Sequence, residues 1–355
     1  MRESLIDRVA IERLFLIAGA LRAGIIDVLA GADGLAAAEV AAGAGADGRA
    51  TLVVLEALVG EGLVGRSGAA PEPPASPSDR ALQATGGRGS EPGASAGSNS
   101  EAPTYRLTPL GRAHLVDPGP LLERWSILHQ ARKSIGWLEL SEVIRSGTRP
   151  PRDAVRRDPT TMVSAMGERD PDIIDEIVER CLAYAGPIQS MVDVGGAVGH
   201  VARAFAHCGV RATLFDRPAV IPLAREYLGE DGRDIALVEG DFTEALPSGP
   251  FDLVYFGNVY HIYSPAIMAR VTNEAYSMVS PGGTIAIQDY VWGRSPRAAI
   301  FAVNMLQATE GGGVWSEAQF RAWLSEAGFA TVELFDLETA GTHLVLAKRP
   351  LEGQG

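Results

Sequence analysis

The sequence predicts an α/β chain in two parts, a mostly α first domain in winged-helix order and a second domain built on a doubly wound parallel sheet that ends in an antiparallel hairpin. Three observations predict it. Apolar residues recur at helical spacing through "IERLFLIAGALRAGIIDVLA" near the start. After residue 190, short apolar runs at 191–194, 212–216, 235–241, 252–258 and 283–290 alternate with helix-length segments. The closing "ATVELFDLETAGTHLVLAKR" holds two strands joined by a tight Ala-Gly turn, with no room for a crossover helix, so they must run antiparallel.

Taken in order, residues 11–29 predict one long helix with a broad apolar face. "GLAAAEVAAGAGADGRATLVVLEALVGEGLV" predicts two more helices broken at its Gly/Ala/Asp cluster, and "YRLTPLG" a short strand with Thr108 as N-cap and Pro109 in the first helical turn. Between the two arms of the wing, residues 67–103 are dominated by Ser, Gly, Ala and Pro, with Leu82 as the one large aliphatic. That composition cannot bury enough surface to offset chain entropy and predicts a disordered insertion at the wing tip. Residues 119–146 are helical in period, and "DPTTMVSAMGERDPDIIDEIVERCLAYAG" predicts two further helices. The domains read as 1–115, a winged-helix dimerisation domain; 116–190, a helical connector; and 191–350, the sheet domain. The first helices carry more apolar surface than one small domain can hide, which predicts a homodimer through residues 1–115.

Composition narrows the function. With 31 basic and 44 acidic residues, the formal charge of −13 opposes nucleic acid and anionic membrane surfaces as partners. Cys181 and Cys208 form neither a disulfide framework nor a metal-ligand spacing, so no metal is expected and both read as thiols of a reduced compartment. The apolar run "LFLIAGAL" stops at Arg22, far short of the roughly 20 residues of a membrane span. A cytoplasmic protein is expected.

The chemistry centres on "VDVGGAVGH". A dinucleotide turn, GxGxxG, counted from Gly195 requires glycine where Ala197 and His200 stand; counted from Gly196 it fails at Val198. No GxxxxGK[ST] phosphate loop is present in the chain. What remains is Asp193 ahead of Gly195, Gly196 and Gly199, an arrangement suited to a cationic ligand without phosphate, as S-adenosylmethionine is. Asp216 closes the next strand, where an acid accepts both ribose hydroxyls. Asp241 closes a third, within reach of an adenine amino group, with Phe242 placed to lie against the ring.

In order and spacing, "VDVGGAVGH", "FDRPAVI", "EGDF", "GNVYHIYSP", "PGGTIAIQDYV" and "GGGVWSEAQFRAWLSEAGF" resemble the S-adenosylmethionine-dependent small-molecule O-methyltransferases of the plant caffeate and bacterial polyketide-tailoring type. The resemblance implies a Rossmann-like class I methyltransferase sheet behind a winged-helix dimerisation domain that ends in "LTPLG", and a small aromatic natural product as substrate. It makes His261 the base that takes the acceptor's hydroxyl proton: a phenol has a pKa of about 10 and attacks best as the oxyanion, and an imidazole with a pKa of about 6.5 is free to accept the proton near neutrality. It makes Asp289 the acid that orients that histidine, and adds Arg217, Gly257 and Asn258 to the cofactor residues. Met162, Met166, Asn304, Met305 and Thr309, with His129 from the connector, would wall a mostly apolar acceptor cavity. Two positions depart from many relatives: Ile262 stands where an Asp often follows the histidine, and Val314 where a second acid often stands. These departures leave C- or N-methylation, or a non-methylating reaction with the same cofactor, as an alternative. A winged-helix regulator that senses a ligand is the more distant one, with Arg49 the one arginine of its recognition segment.

Overall fold

The computed structural model describes residues 7–69, 71, 102–149, 159–168, 171–337 and 340–351. The chain divides into two compact units, Met1–Ala131 and Arg132–Gly355. Of the predicted insertion at 67–103, residues 70 and 72–101 lie outside the described residues.

The first unit runs α1 (Arg8–Arg22), α2 (Ile25–Ala30), β1 (Leu35–Ala36), α3 (Ala37–Ala44), α4 (Gly48–Gly60), β2 (Val64–Arg66), β3 (Thr104–Leu107) and α5 (Pro109–Leu115). The single helix expected over 11–29 is two helices. Gly24 breaks it with φ +76°, a left-handed conformation open to glycine, although the apolar spacing continues across the break. Strands β2 and β3 pair antiparallel, Val64 opposite Leu107 and Arg66 opposite Tyr105, with β1 on the other side of β3. Thr108 caps α5 as its sequence predicts: the hydroxyl oxygen accepts from the Gly111 N–H at 3.0 Å, and the hydroxyl donates to the Gly62 carbonyl at 2.7 Å. Ile26, Leu29, Leu55, Leu58 and Leu115 close the core around Tyr105, whose hydroxyl donates to Glu56. Helix α6 (Arg124–Leu138) crosses the boundary between the units.

The second unit continues through α7 (Leu140–Ser146), α8 (Thr160–Gly167), α9 (Pro171–Ala185), β4 (Ser190–Val194), α10 (His200–His207), β5 (Arg211–Asp216), α11 (Ile221–Leu228), β6 (Ala236–Glu239) and β7 (Phe251–Gly257). It then forms α12 (Pro265–Met278), β8 (Val279–Asp289), β9 (Val291–Trp292), α13 (Pro296–Ala308), β10 (Trp315–Ser316), α14 (Glu317–Glu326), β11 (Ala330–Leu337) and β12 (Thr342–Lys348). Side-chain alternation makes the sheet the middle of a sandwich. Val192, Val254, Phe256, Ile285, Ile287 and Val345 enter one buried cluster, while Met191, Leu253, Tyr255, Ala286, Leu344 and Leu346 enter another. Neighbouring residues of one strand therefore feed opposite cores, the pattern of a sheet covered by helices on both faces. The strand order is β11-β12-β8-β7-β4-β5-β6, parallel except where β12 joins β8 and β11 joins β12 antiparallel. Each of the five predicted strands is present, and β8 begins earlier than expected, at Val279. The Ser316–Gln319 pair forms a capping box on α14. Among the described residues no helix is long and apolar enough to cross a membrane.

Candidate active site

Strand β4 lies between β5 and β7, so the chain winds outward in both directions from it, and the crevice beyond the carboxyl ends of these strands is where such sheets bind ligands. The turn after β4 occupies that crevice. Gly195 and Gly199 have φ of +72° and +83°, and a Cβ on Gly195 would stand 2.8 Å from Val259 Cγ1 and 3.5 Å from Phe242 Cε1. Ala197 also takes a left-handed conformation, φ +52°, at a cost of about 1–2 kcal/mol. Its N–H donates to Asp216 Oδ2 at 2.9 Å, which offsets that strain and ties the turn to the end of β5. Asp193 is 2% exposed; its carboxylate lies within 2.9 Å of where a Gly196 Cβ would stand and accepts from the Ala202 N–H at 3.3 Å. It buttresses the turn and the start of α10.

Asp216 is buried at the end of β5, with Oδ1 accepting from the Arg217 N–H at 2.7 Å. Each of its oxygens has a second lone pair for a hydroxyl donor. Burial pushes its pKa up, and the two backbone donors oppose that shift. Arg217 beside it is exposed. Past β6, Asp241 Oδ1 closes a turn by accepting from the Thr243 N–H and hydroxyl at 2.8 and 2.6 Å. Phe242 is buried next to Gly195 and meets Tyr263 edge-to-face, ring centroids 5.3 Å apart. Tyr263 was not singled out from the sequence. Burial raises its hydroxyl pKa first, followed by Asp241, with Arg217 opposing, so its hydroxyl lies in the field of the same acids. The readable signal was an aromatic two residues past His261, on the same turn.

After β7, Asn258 adopts φ +57°, a conformation asparagine tolerates. Buried Gln288 holds it there: the Gln288 carbonyl accepts from the Asn258 N–H at 2.8 Å and Oε1 from its Nδ2 at 3.2 Å, while Oε1 also accepts from the Tyr255 hydroxyl. Gly257 leaves no space for a side chain, since a Cβ would lie 2.8 Å from Tyr255 Cε1. A single 3-10 turn, Tyr260–Ile262, then carries His261 to the end of β8. His261 Nδ1 lies 2.8 Å from Asp289 Oδ1, and its backbone N–H donates to Asp289 Oδ2 at 3.0 Å. Asp289 is 1% exposed and His261 8% exposed, so the pair is shielded from bulk water. Because the carboxylate accepts at Nδ1, the proton resides there and Nε2 keeps its lone pair. Phe301 meets the imidazole edge-on at 4.8 Å and stacks on Tyr290 at 4.1 Å.

The residues predicted to wall an acceptor cavity are distributed less evenly. Asn304 and Met305 are buried on α13, the Asn304 side-chain oxygen accepts from Gln307 Nε2 at 2.9 Å, and Thr309 ends that helix by donating to the Met305 carbonyl. On α8, Met166 is half-buried and Met162 is 39% exposed. His129 is half-buried on α6, in the first unit. Ile262 is exposed, and Val314 is buried against Tyr290 and Ala298.

Comparison with known proteins yields one family: the O-methyltransferase domain family matches residues 156–330. Among curated relatives, the chain is 28% identical to the tetracenomycin polyketide synthesis 8-O-methyl transferase of Streptomyces glaucescens over 70% of this chain and 77% of that one. It is 26% identical to the acetylserotonin O-methyltransferase of Mus musculus over 67% of each chain. Among solved structures, the fold is that of human N-acetylserotonin methyltransferase in complex with SAM, with a TM-score of 0.69 at 21% identity over 98% of this chain and 99% of that one.

Proposed function

Since the chain belongs, through residues 156–330, to the O-methyltransferase domain family, we propose that it transfers the methyl group of S-adenosylmethionine to a hydroxyl of a small aromatic natural product, with His261 as general base. The observation that carries this reading is the buried His261–Asp289 pair, 2.8 Å apart, at the ends of β7 and β8, with β7 next to the strand that carries the glycine turn.

The turn fits the cofactor. Gly195 lets the turn pack directly on Val259 and Phe242, where a Cβ would not fit, and Asp216 keeps acceptor positions for a ribose diol. Asp241, Phe242 and Tyr263 together suit an adenine ring and its amino group, beside Arg217, Gly257 and Asn258. When bound, S-adenosylmethionine supplies an electrophilic methyl on a sulfonium. His261 Nε2 accepts the acceptor's hydroxyl proton, and the Asp289 carboxylate holds the ring's tautomer and stabilises the imidazolium that results. Burial of the pair strengthens that electrostatic contact and excludes water from the base. Asn304, Met305 and Thr309, with Met162 and Met166 of α8, are the acceptor-facing residues in this reading. A homodimer through the first domain is part of it: Val9, Ile11 and Phe15 of α1 are about half exposed, and light scattering on the purified chain tests that point.

The reaction is tested by incubating the chain with methyl-labelled S-adenosylmethionine and a panel of hydroxylated aromatics, followed by mass spectrometry. Label on oxygen is expected, with His261→Ala lowering kcat by about 10²–10⁴. Label on carbon or nitrogen, or undiminished turnover by His261→Ala, overturns the proposal.

A further inference from the structure

His200 is the first residue of α10 and the last of the "GGAVGH" turn, and its ring reaches another element. Nε2 lies 3.1 Å from the carbonyl oxygen of Gly167, the last residue of α8. Tyr227 of α11 donates its hydroxyl to the same oxygen at 2.9 Å. Nδ1 of His200 lies 3.4 Å from Arg203 Nη2, a donor, which assigns the ring proton to Nε2 and directs it at the carbonyl and the Tyr227 oxygen, 3.2 Å away. The His200 and Tyr227 rings meet edge-to-face at 5.0 Å, and the Arg203 guanidinium lies over the tyrosine at 5.5 Å. No side chain larger than glycine's fits at 167 unless that ring moves, since a Cβ would stand 3.0 Å from Tyr227 Cε2.

An apolar contact runs beside the polar one. Val163 of α8, Val198 of the turn and Val220, just before α11, form a buried cluster of their own. The helix with Met162 and Met166 is thus fastened to the glycine turn through Val198 and His200, on either side of Gly199. We propose that His200 and Tyr227 are positioning residues that couple occupancy of the glycine turn to the placement of α8, so that filling the cofactor's seat sets one wall of the acceptor cavity. This inference rests on reading the turn as that seat. The turn is built from left-handed residues at 195, 197 and 199; a ligand lying along it restricts those dihedrals, and His200 follows directly in the chain. α8 then loses freedom through the His200 and Tyr227 contacts to Gly167, beside the Val163–Val198 packing, and the ligand can shift it only by as much as its affinity differs between latched and unlatched states.

Hydrogen exchange of residues 159–168 in the full chain, with and without S-adenosylhomocysteine, tests this. In the native chain the ligand is expected to slow α8 exchange by about tenfold. In the double variant His200→Ala, Tyr227→Phe that slowing falls below about threefold, and the calorimetric Kd for S-adenosylhomocysteine weakens by up to about tenfold, as the reciprocity of the coupling requires. His200→Gln, whose amide N–H can reach the Gly167 carbonyl, restores most of the effect. Tyr227→Phe alone keeps the ring, its cation–π contact and its packing on Gly167, and is expected to give an intermediate effect even should the double variant not fold. A purely structural role changes α8 exchange equally with and without ligand, so the ligand-dependent difference is what decides. Binding heat with no change in α8, or equal slowing in the native and double-variant chains, overturns the coupling alone. No binding heat with the native chain overturns the cofactor reading, and the coupling with it.

Discussion

Replacing Asp289 with Asn changes one atom of the side chain and separates catalysis from binding. Asp289 Oδ1 accepts from His261 Nδ1 at 2.8 Å and from the Tyr290 N–H at 2.7 Å, while Oδ2 accepts from the His261 N–H at 3.0 Å. An amide offers one oxygen for these two acceptor positions. With its oxygen at the Oδ1 position, it faces an NH2 against the His261 N–H, losing one bond and the negative charge opposite the imidazolium. With its NH2 there, it opposes the Tyr290 N–H and donates to Nδ1, which moves the ring proton to Nε2 and removes the base. The first orientation costs less. Losing a hydrogen bond to a charged group is worth about 1.5–3 kcal/mol, and leaving a buried N–H unsatisfied about 1–3 kcal/mol. The unsatisfied N–H costs ground and transition states alike, so the lost charge opposite the imidazolium alone raises the barrier, giving roughly a 10–10²-fold loss of kcat. The assay is initial-rate methyl transfer at saturating cofactor, with calorimetry of S-adenosylhomocysteine as the control. The Kd should stay within about threefold, because the Asp289 carboxylate accepts from His261 and Tyr290, away from the glycine turn, Asp216 and Asp241. A kcat within about threefold of native would show that the carboxylate neither orients His261 nor stabilises its charged form.

The remaining predictions concern the cofactor seat and stability. Gly195→Ala forces φ +72° on a residue with a Cβ and drives that Cβ to 2.8 Å from Val259 Cγ1, so the turn must move; S-adenosylhomocysteine affinity should fall at least about tenfold for a stability loss of about 1–2 kcal/mol, and unchanged calorimetric affinity refutes the turn as the cofactor's seat. Burial raises the Asp216 pKa; the carboxylate is needed to accept ribose hydroxyls, so S-adenosylhomocysteine affinity should weaken on acidification starting above the ordinary aspartate value of about 3.9, and a pH profile identical in Asp216→Asn refutes it. His343 is buried, its Nδ1 accepts from the Val291 N–H at 3.0 Å, and burial lowers its pKa, with Asp336 opposing. Because the unfolded chain then binds the proton more readily, the stabilisation is fully present above about pH 6.5 and is lost as pH falls from there through the folded value. Denaturant titrations across that window should show the slope, and His343→Gln, whose side-chain oxygen can still accept from Val291, should flatten it.

The strands of the second unit were legible because each feeds two cores. Val254 and Phe256 point one way and Leu253 and Tyr255 the other, so the run is apolar throughout, and its length separates it from a helix. Gly24 was not legible as a break, because the apolar period runs through it and the interruption is a matter of φ alone. β1, β9 and β10 are two residues long each, too short for any period. Within the site, Asp216, Asp241 and Phe242 were visible as acids and an aromatic at strand ends. His261 and Asp289 were joined on family resemblance, since 28 residues separate them and only the parallel pairing of β7 with β8 brings them together. The pattern gives Asp193 its position ahead of the glycines, while its hydrogen bond to the Ala202 N–H depends on the packing of α10. Phe301 and Tyr290 form contacts that no local pattern encodes.

The departures at 262 and 314 bear on how the base is held. A second acid near His261 would place another negative charge beside buried Asp289, where low local polarity makes like charges costly. Val314 instead packs on Tyr290 and Ala298, and Tyr290 stacks on the Phe301 ring that meets the imidazole edge-on. Such aromatic contacts contribute about 0.5–1.5 kcal/mol each beyond their buried area, the same size as a neutral hydrogen bond. The backbone adds a further restraint, since the His261 carbonyl accepts from the Gly313 N–H at 2.9 Å and its N–H is held by Asp289. Packing and one carboxylate can therefore fix the ring without a second acid. Among the described residues Asp289 is the carboxylate paired with His261, which is why Asp289→Asn should slow transfer here.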